Sequence, residues 1–138
     1  MKTAPPWFYN QSAVIPYRII HAETEILLIT SRRGKRWIIP KGVIDPGTSA
    51  GESAAKEAYE EAGIRGRLSD APVGEYRYEK WGGICTVKVF LLEVQSVLDT
   101  WPEVSTRQRQ WLTVTDAARL VKEPELQSLI LKVPNLKS

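Results

Sequence analysis

A chain of 138 residues with one cysteine, one histidine and one methionine has little to spend on several common chemistries. Cys85 alone cannot form an intrachain disulfide, which points to a reducing compartment and here to the cytoplasm. Within a strand-like stretch it reads as a small buried residue. His21 falls in a turn-like segment, so a histidine relay has no second member and the residue is read as inert. No run approaches about 18 consecutive apolar residues, which argues against a membrane-spanning helix. The beginning has Lys2 but no apolar core before Trp7, so it does not read as a secretory signal. Internal repeats and low-complexity linkers are missing too. Neither sign of charge dominates: Lys and Arg number 19 against 16 acids, a net charge of +3. That modest excess, without an RNA-binding signature, argues against nucleic acid as the partner.

The residues that are present suit one domain over 1–138, near the modal domain size and long enough to bury a core. Ser12–Ile20 and Ile26–Thr30 read as a hairpin around 21–24, and Arg36–Ile39 as a short strand. Arg67–Glu79 and Ile84–Val97 read as two further strands around 80–83, and Gln110–Val114 as the last. Thr115 is expected to cap a helix over 116–121, and Pro124 to open another to about Lys132. Periodicity alone supports an α/β or α+β domain.

One segment carries most of the chemistry: Gly42 to Ile64, GVIDPGTSAGESAAKEAYEEAGI. Ser49 and Glu52 have capping-box spacing, and Gly63 stands where a left-handed helix end is expected, predicting a helix of about 13 residues. Ala54, Ala55, Ala58 and Ala62 read as its packing face. Glu57, Glu60 and Glu61 fall within about 100° of one another on such a helix. Two carboxylates 4 Å apart repel by roughly 4 kcal/mol at an effective dielectric near 20. A Lys56–Glu60 pair would return only about 0.2–0.5 kcal/mol. Converging acids of this kind call for a hard divalent cation with oxygen ligands. The alternative is a solvated acidic face.

The segment resembles a Nudix box, G-x5-E-x7-R-E-U-x-E-E-x-G-U with U aliphatic. Gly42, Glu57, Glu60, Glu61 and Gly63 match, and Ile64 fits the final aliphatic position. Thr48 stands in place of the first Glu and Lys56 in place of the Arg, two positions that in the family brace the loop against the helix. The resemblance implies an α/β/α sandwich with a mixed sheet, a central motif helix and a C-terminal helix. It implies a pyrophosphohydrolase acting with Mg²⁺ or Mn²⁺ held by Glu57, Glu60 and Glu61, with the Lys41 carbonyl as backbone ligand. Glu57 or Glu60 would serve as base. Glu103 is the expected additional acid from a later loop, with Glu79 in reserve. A homodimer is compatible with the family.

Arg32, Arg33, Lys35, Arg36 and Lys41 precede the acidic helix, and Arg107 and Arg109 lie near the last strand. Folded around the acids they would meet a small anionic substrate containing a diphosphate. Trp37 would add an aromatic face or lie in the core. Ser31–Pro40, Asp99–Glu103, Arg107–Trp111 and Glu123–Leu126 are similar to diphosphoinositol polyphosphate phosphohydrolases, which also cleave diadenosine polyphosphates. That similarity implies phosphate contacts from Ser31, Arg32, Arg36, Arg107 and Arg109. Asn10 and Gln11 replace basic residues of that group, which leaves dinucleoside polyphosphates and other diphosphates open. Two other readings stand beside the hydrolase. One is a weakened domain that binds a nucleotide or polyphosphate as a sensor. The other is an interaction module using Trp81 and Trp101.

Overall fold

Strands with continuous apolar runs, such as Ala13-Val14-Ile15 and Ile26-Leu27-Leu28-Ile29, have two faces to bury, and here both are covered. The computed structural model describes residues 7–80 and 82–136, so Trp81 lies outside the described residues. The chain runs β1 (Trp7–Ile20), β2 (Glu23–Thr30), β3 (Trp37–Ile38), β4 (Lys41–Val43), α1 (Ala50–Glu57) and a π-helical turn (Ala58–Ala62). There follow β5 (Ile64–Leu68), β6 (Gly74–Lys80), β7 (Gly83–Val97), β8 (Arg109–Thr113), α2 (Val114–Leu120) and α3 (Pro124–Leu136). The sheet is mixed: β1 pairs in parallel with β7, and every other pairing is antiparallel.

The two-residue side-chain period sorts the sheet into two cores. Ala13, Ile15, Tyr17, Ile26, Leu28, Val87, Val89 and Leu91 pack against Ala117 and Ala118 of α2, Val121 just after it, and Leu126, Ile130 and Val133 of α3. Their neighbours Val14, Leu27, Ile29, Phe90 and Leu92 pack against Ala54, Ala58 and Ala62. The result is the expected α/β/α sandwich. Ala55 is exposed, because it sits about 100° round the helix from the buried Ala54. Trp37 packs against the α2–α3 core.

Several boundaries differ from expectation. The β1–β2 hairpin turns on two residues, His21 and Ala22, both at positive φ (50° and 67°), the backbone of the tight primed turn that matches strand twist. Gln11 is nine residues from Ile20, so this turn stands roughly 30 Å from the Gln11 end of β1 at about 3.3 Å per residue. The stretch 67–79 is two strands, since the chain leaves the sheet at Asp70-Ala71-Pro72, where proline has no N–H for a ladder. The cap of α2 is Thr113, whose hydroxyl accepts from the Asp116 N–H at 3.1 Å. Thr115 is inside that helix. α3 continues past Lys132 to Leu136, with Pro134 in its last turn.

The unforeseen strand matters most. β1 pairs with β2 only from Tyr17 onward, and β4 fills the wedge below by pairing Lys41 with Ala13 and Gly42 with Ser12. This brings the start of the motif loop into the sheet, directly beneath α1. The loop then enters α1 through a complete capping box. The Ser49 hydroxyl accepts from the Glu52 N–H at 3.0 Å, and the Glu52 carboxylate accepts from the Ser49 N–H at 2.9 Å. Ser49→Ala is expected to lower stability by about 1 kcal/mol in a urea melt without changing the denaturant slope.

Candidate active site

The acidic helix is held at its C-terminal end by one segment of chain. A helix end leaves carbonyls without intrahelical partners, and here residues 98–109 supply the donors. The Glu60 carbonyl accepts from the Glu103 N–H at 3.1 Å, and the Glu61 carbonyl from Trp101 Nε1 at 3.0 Å. The Ala62 carbonyl accepts from Arg109 Nη1 at 3.0 Å, and the Gly63 carbonyl from the Leu98 N–H at 2.8 Å. Arg109 also stacks 3.8 Å from the Trp101 ring centroid, and a cation at a helix C-terminus is favoured by the peptide dipoles. Four docked carbonyls accompany the local change from α to π geometry, a form that recurs at functional sites. Burial lowers the pKa of Arg109.

Gly63 closes this end at φ 64°, ψ 37°, and a Cβ there would meet Trp101 ring carbons at 2.7–2.8 Å. Gly63→Ala therefore incurs a left-handed backbone penalty of roughly 1–2 kcal/mol and displaces the indole as well. Thermal unfolding should show a loss larger than that of Ser49→Ala.

The acids separate into two environments. Glu61 is buried, at 7% exposure. One carboxylate oxygen accepts from the Lys41 N–H at 3.1 Å, and the other lies 3.5 Å from Arg107 Nη2. Burial drives its pKa up to about 7, against the pull of Arg107 and the Lys41 N–H. Glu57 lies against the backbone of Gly42, where any Cβ would collide with its carboxylate. Burial, then Glu60, pushes its pKa up as well. Ser12, opposite Gly42 in the register, carries a buried hydroxyl with no hydrogen-bond partner among the described residues. Glu60 instead pairs with Lys56 at 3.5 Å, and Lys56 donates to Asp45 at 2.9 Å.

Glu57, Glu61 and Gly42 line a cleft of about 830 Å³. Ser31, Arg32, Arg36 and Lys41 line the same cleft, as do Arg77, Lys80 and Lys122. The loop 31–36 is closed on itself: the Ser31 N–H donates to the Arg36 carbonyl at 2.8 Å, and the Ser31 hydroxyl accepts from the Arg36 N–H at 3.2 Å. Lys41 Nζ donates to the Tyr78 hydroxyl at 2.9 Å, which donates to Gln11 at 2.7 Å. Desolvation lowers the Lys41 pKa, and Lys80 lowers it further.

Of the residues singled out by sequence, Ser31, Arg32, Arg36, Lys41, Glu57, Glu61 and Arg107 come together in this cleft. Glu60 and Glu103 do not line it. Glu103 is bound to the Arg107 guanidinium, from Nε at 3.0 Å and Nη2 at 2.9 Å. Arg107 itself is buried, so its donors meet Glu61, Glu103 and the Thr30 carbonyl rather than solvent. Arg109 is outside the cleft, spent on the Ala62 and Leu98 carbonyls. Both arginines therefore act first as struts: Arg107 because a buried guanidinium must satisfy its donors within the protein, and the part-exposed Arg109 through its two carbonyl bonds. Glu79, the reserve acid, does line the cleft. Trp101 is half-buried, with its Nε1 donating to the Glu61 carbonyl at the helix end. The cleft residues missed in the sequence include Tyr76, Arg77, Tyr78, Lys80 and Lys122. Their signal was weak: single residues on a strand or in a connection, with no motif.

Helices on both faces of a mixed sheet, one carrying the spaced glutamates, define the Nudix α/β/α sandwich. The NUDIX domain family matches residues 10–132, and the chain is an enzyme of the Nudix hydrolase family. It is 31% identical over 136 residues to Nudix hydrolase 16, mitochondrial, of Arabidopsis thaliana, covering 86% of this chain and 75% of that one. It is 30% identical over 120 residues to human diphosphoinositol polyphosphate phosphohydrolase 3-alpha, covering 86% and 72%. The crystal structure of C. elegans Ap4A hydrolase superposes with a TM-score of 0.75 at 26% identity, covering 94% of this chain and 98% of that one.

Proposed function

We propose that this enzyme hydrolyses a phosphoanhydride bond in a dinucleoside polyphosphate, a nucleoside diphosphate-linked compound or a diphosphoinositol, using Mg²⁺ or Mn²⁺. One observation carries the reading. Buried Glu61 and half-buried Glu57 share a cleft with Ser31, Arg32 and Arg36, an arrangement suited to a cation and a polyanion together.

The donor set suits a hard divalent ion. Glu57 and Glu61 offer oxygens whose mutual repulsion a cation would relieve, and Glu60 is one turn away. Among the described residues no three acids are already placed to hold an ion, because Glu60 is paired with Lys56. Glu57, Glu60 and Glu61, with the Lys41 carbonyl, would hold the metal. Glu103, which shares Arg107 with Glu61, is the candidate additional ligand from the later loop. A divalent ion in this position supplies neutralisation of phosphoryl oxygens and a more acidic water. The protein's own groups do the rest. Arg32, Arg36 and Ser31 bind and orient the phosphates. Arg107 fixes the Glu61 carboxylate, and Gly42 allows Glu57 to lie against the backbone. Glu57 is the stronger candidate for the base, since Glu60 is outside the cleft.

Substrate class follows from the rim. Gln11 is uncharged and tied to Tyr78, and Glu79, Glu123 and Glu125 interrupt the positive residues. A fully phosphorylated inositol would face those acids, so diphosphates with an uncharged second half fit better. The buried lone Cys85 supports a cytoplasmic setting.

The test is phosphate-product release from diadenosine polyphosphates, nucleoside diphosphate sugars, nucleoside triphosphates and diphosphoinositols with Mg²⁺ and Mn²⁺. Metal-dependent turnover that collapses in Glu60→Gln supports the reading. Ligand-induced stabilisation with no turnover would favour the sensor.

A further inference from the structure

Lys56 stands between two carboxylates of different purpose. Its ammonium is 2.9 Å from Asp45 Oδ2 and 3.5 Å from Glu60 Oε1. Asp45 is fixed by its backbone, not by its carboxylate. Its N–H donates to the Ser53 hydroxyl at 3.3 Å, and its carbonyl accepts from the Thr48 hydroxyl at 2.7 Å and the Thr48 N–H at 3.1 Å. Thr48 and Ser53 complete the ring with hydroxyls 2.8 Å apart. The Asp45 carboxylate is thus presented to Lys56 by a loop that the helix itself holds. Lysine suits this place because a flexible stem can carry a point charge from one acceptor to another, which a rigid guanidinium fork does less readily.

We infer that Asp45 and Lys56 form a counter-ion exchange that tunes metal affinity: while no metal is bound Lys56 is shared, bonded to Asp45 and paired more loosely with Glu60, and Asp45 keeps it alone when Glu60 turns to the metal. The inference rests on the reading of Glu60 as a metal ligand. Asp45 is then a positioning residue, acting on Glu60 only through Lys56. Without the Asp45 carboxylate, Lys56 would have Glu60 as its one partner of the pair and would compete with the incoming cation. All three side chains are part-exposed, so the effect belongs in the range of exposed ion pairs, about two- to fivefold in affinity.

The experiment is a double-mutant cycle read by calorimetric Mn²⁺ titration of the full chain at 0.15 M salt. The proteins are wild type, Asp45→Asn, Lys56→Met, the double variant and Glu60→Gln. Melting temperatures in chelator accompany them. Asp45→Asn retains the backbone anchors and should raise the Mn²⁺ dissociation constant about two- to fivefold. Lys56→Met should not weaken binding, and adding Asp45→Asn to it should change nothing further. An Asp45→Asn effect of equal size with and without Lys56 would mean simple loss of a nearby negative charge and would overturn the exchange. So would weakened binding and a lower melting temperature in both single variants, the signature of a passive brace. Unchanged Mn²⁺ affinity in Glu60→Gln would overturn the ligand reading beneath it instead.

Discussion

Glu57→Gln is expected to lower metal-dependent turnover on the order of a thousandfold, equivalent to about 4 kcal/mol of transition-state stabilisation. Glutamine has nearly the same shape, so it still lies against Gly42, where no Cβ is tolerated. What is lost is the anionic oxygen. The folded protein already holds Glu57 with a raised pKa, through burial first and Glu60 second, so its ionised form opposes folding. Removing that charge should leave the melting temperature in chelator unchanged or slightly higher, while the stabilisation produced by Mn²⁺ disappears. Stability and activity moving in opposite directions separate a metal ligand from a structural acid. A fall in both would assign Glu57 to the scaffold.

The motif helix was the most legible part of the chain because its signals are local. Ser49 and Glu52 sit three residues apart, Gly63 ends the periodic stretch, and Ala54, Ala58 and Ala62 recur on one face. Each depends on neighbours within a few turns, and each is found in place. The π-helical turn was not legible. It coincides with carbonyls held by Leu98, Trp101, Glu103 and Arg109, residues 36 or more positions away from it in the chain, and no local pattern announces contacts of that kind.

The arginines show the same limit more sharply. Sequence shows that Arg107 and Arg109 are cationic and near the acids by analogy, but not whether their donors meet a substrate or the protein. Burial decides that, and burial is set by how 98–109 folds across the helix end. The strand β4 was missed for a related reason. Three residues, Lys41–Val43, lie directly after a proline and pair with β1 only because β1 and β2 part below Tyr17. By contrast Arg32, Arg36 and Lys41, read from charge clustering, do line the cleft, since a short loop between paired strands has few other places to go, whereas Arg33 and Lys35 of the same cluster do not.

Arg107→Ala should be the most destabilising single change in the cleft, about 3–5 kcal/mol, because it leaves a buried carboxylate without its cation. The Arg107 side chain is 4% exposed and Glu61 9%. It also donates to the Thr30 carbonyl at 2.9 Å, beside the Gln108 N–H that donates to the Thr30 hydroxyl. Losing it therefore loosens the segment that caps the π turn. Arg107→Lys keeps the charge but cannot reach Glu61, Glu103 and Thr30 together, so it should recover only part of the loss. The pH dependence has a definite sign. In metal-free protein, ionised Glu61 disfavours folding, so wild type loses stability as pH rises from its ordinary 4.5 to about 7 and then levels off. Without Arg107 the folded-state pKa lies higher, and the loss continues past 7. Chemical denaturation in chelator should show the gap between wild type and Arg107→Ala wider at pH 8 than at pH 6. A gap independent of pH would mean that Arg107 supports the fold through Thr30 and Glu103 alone.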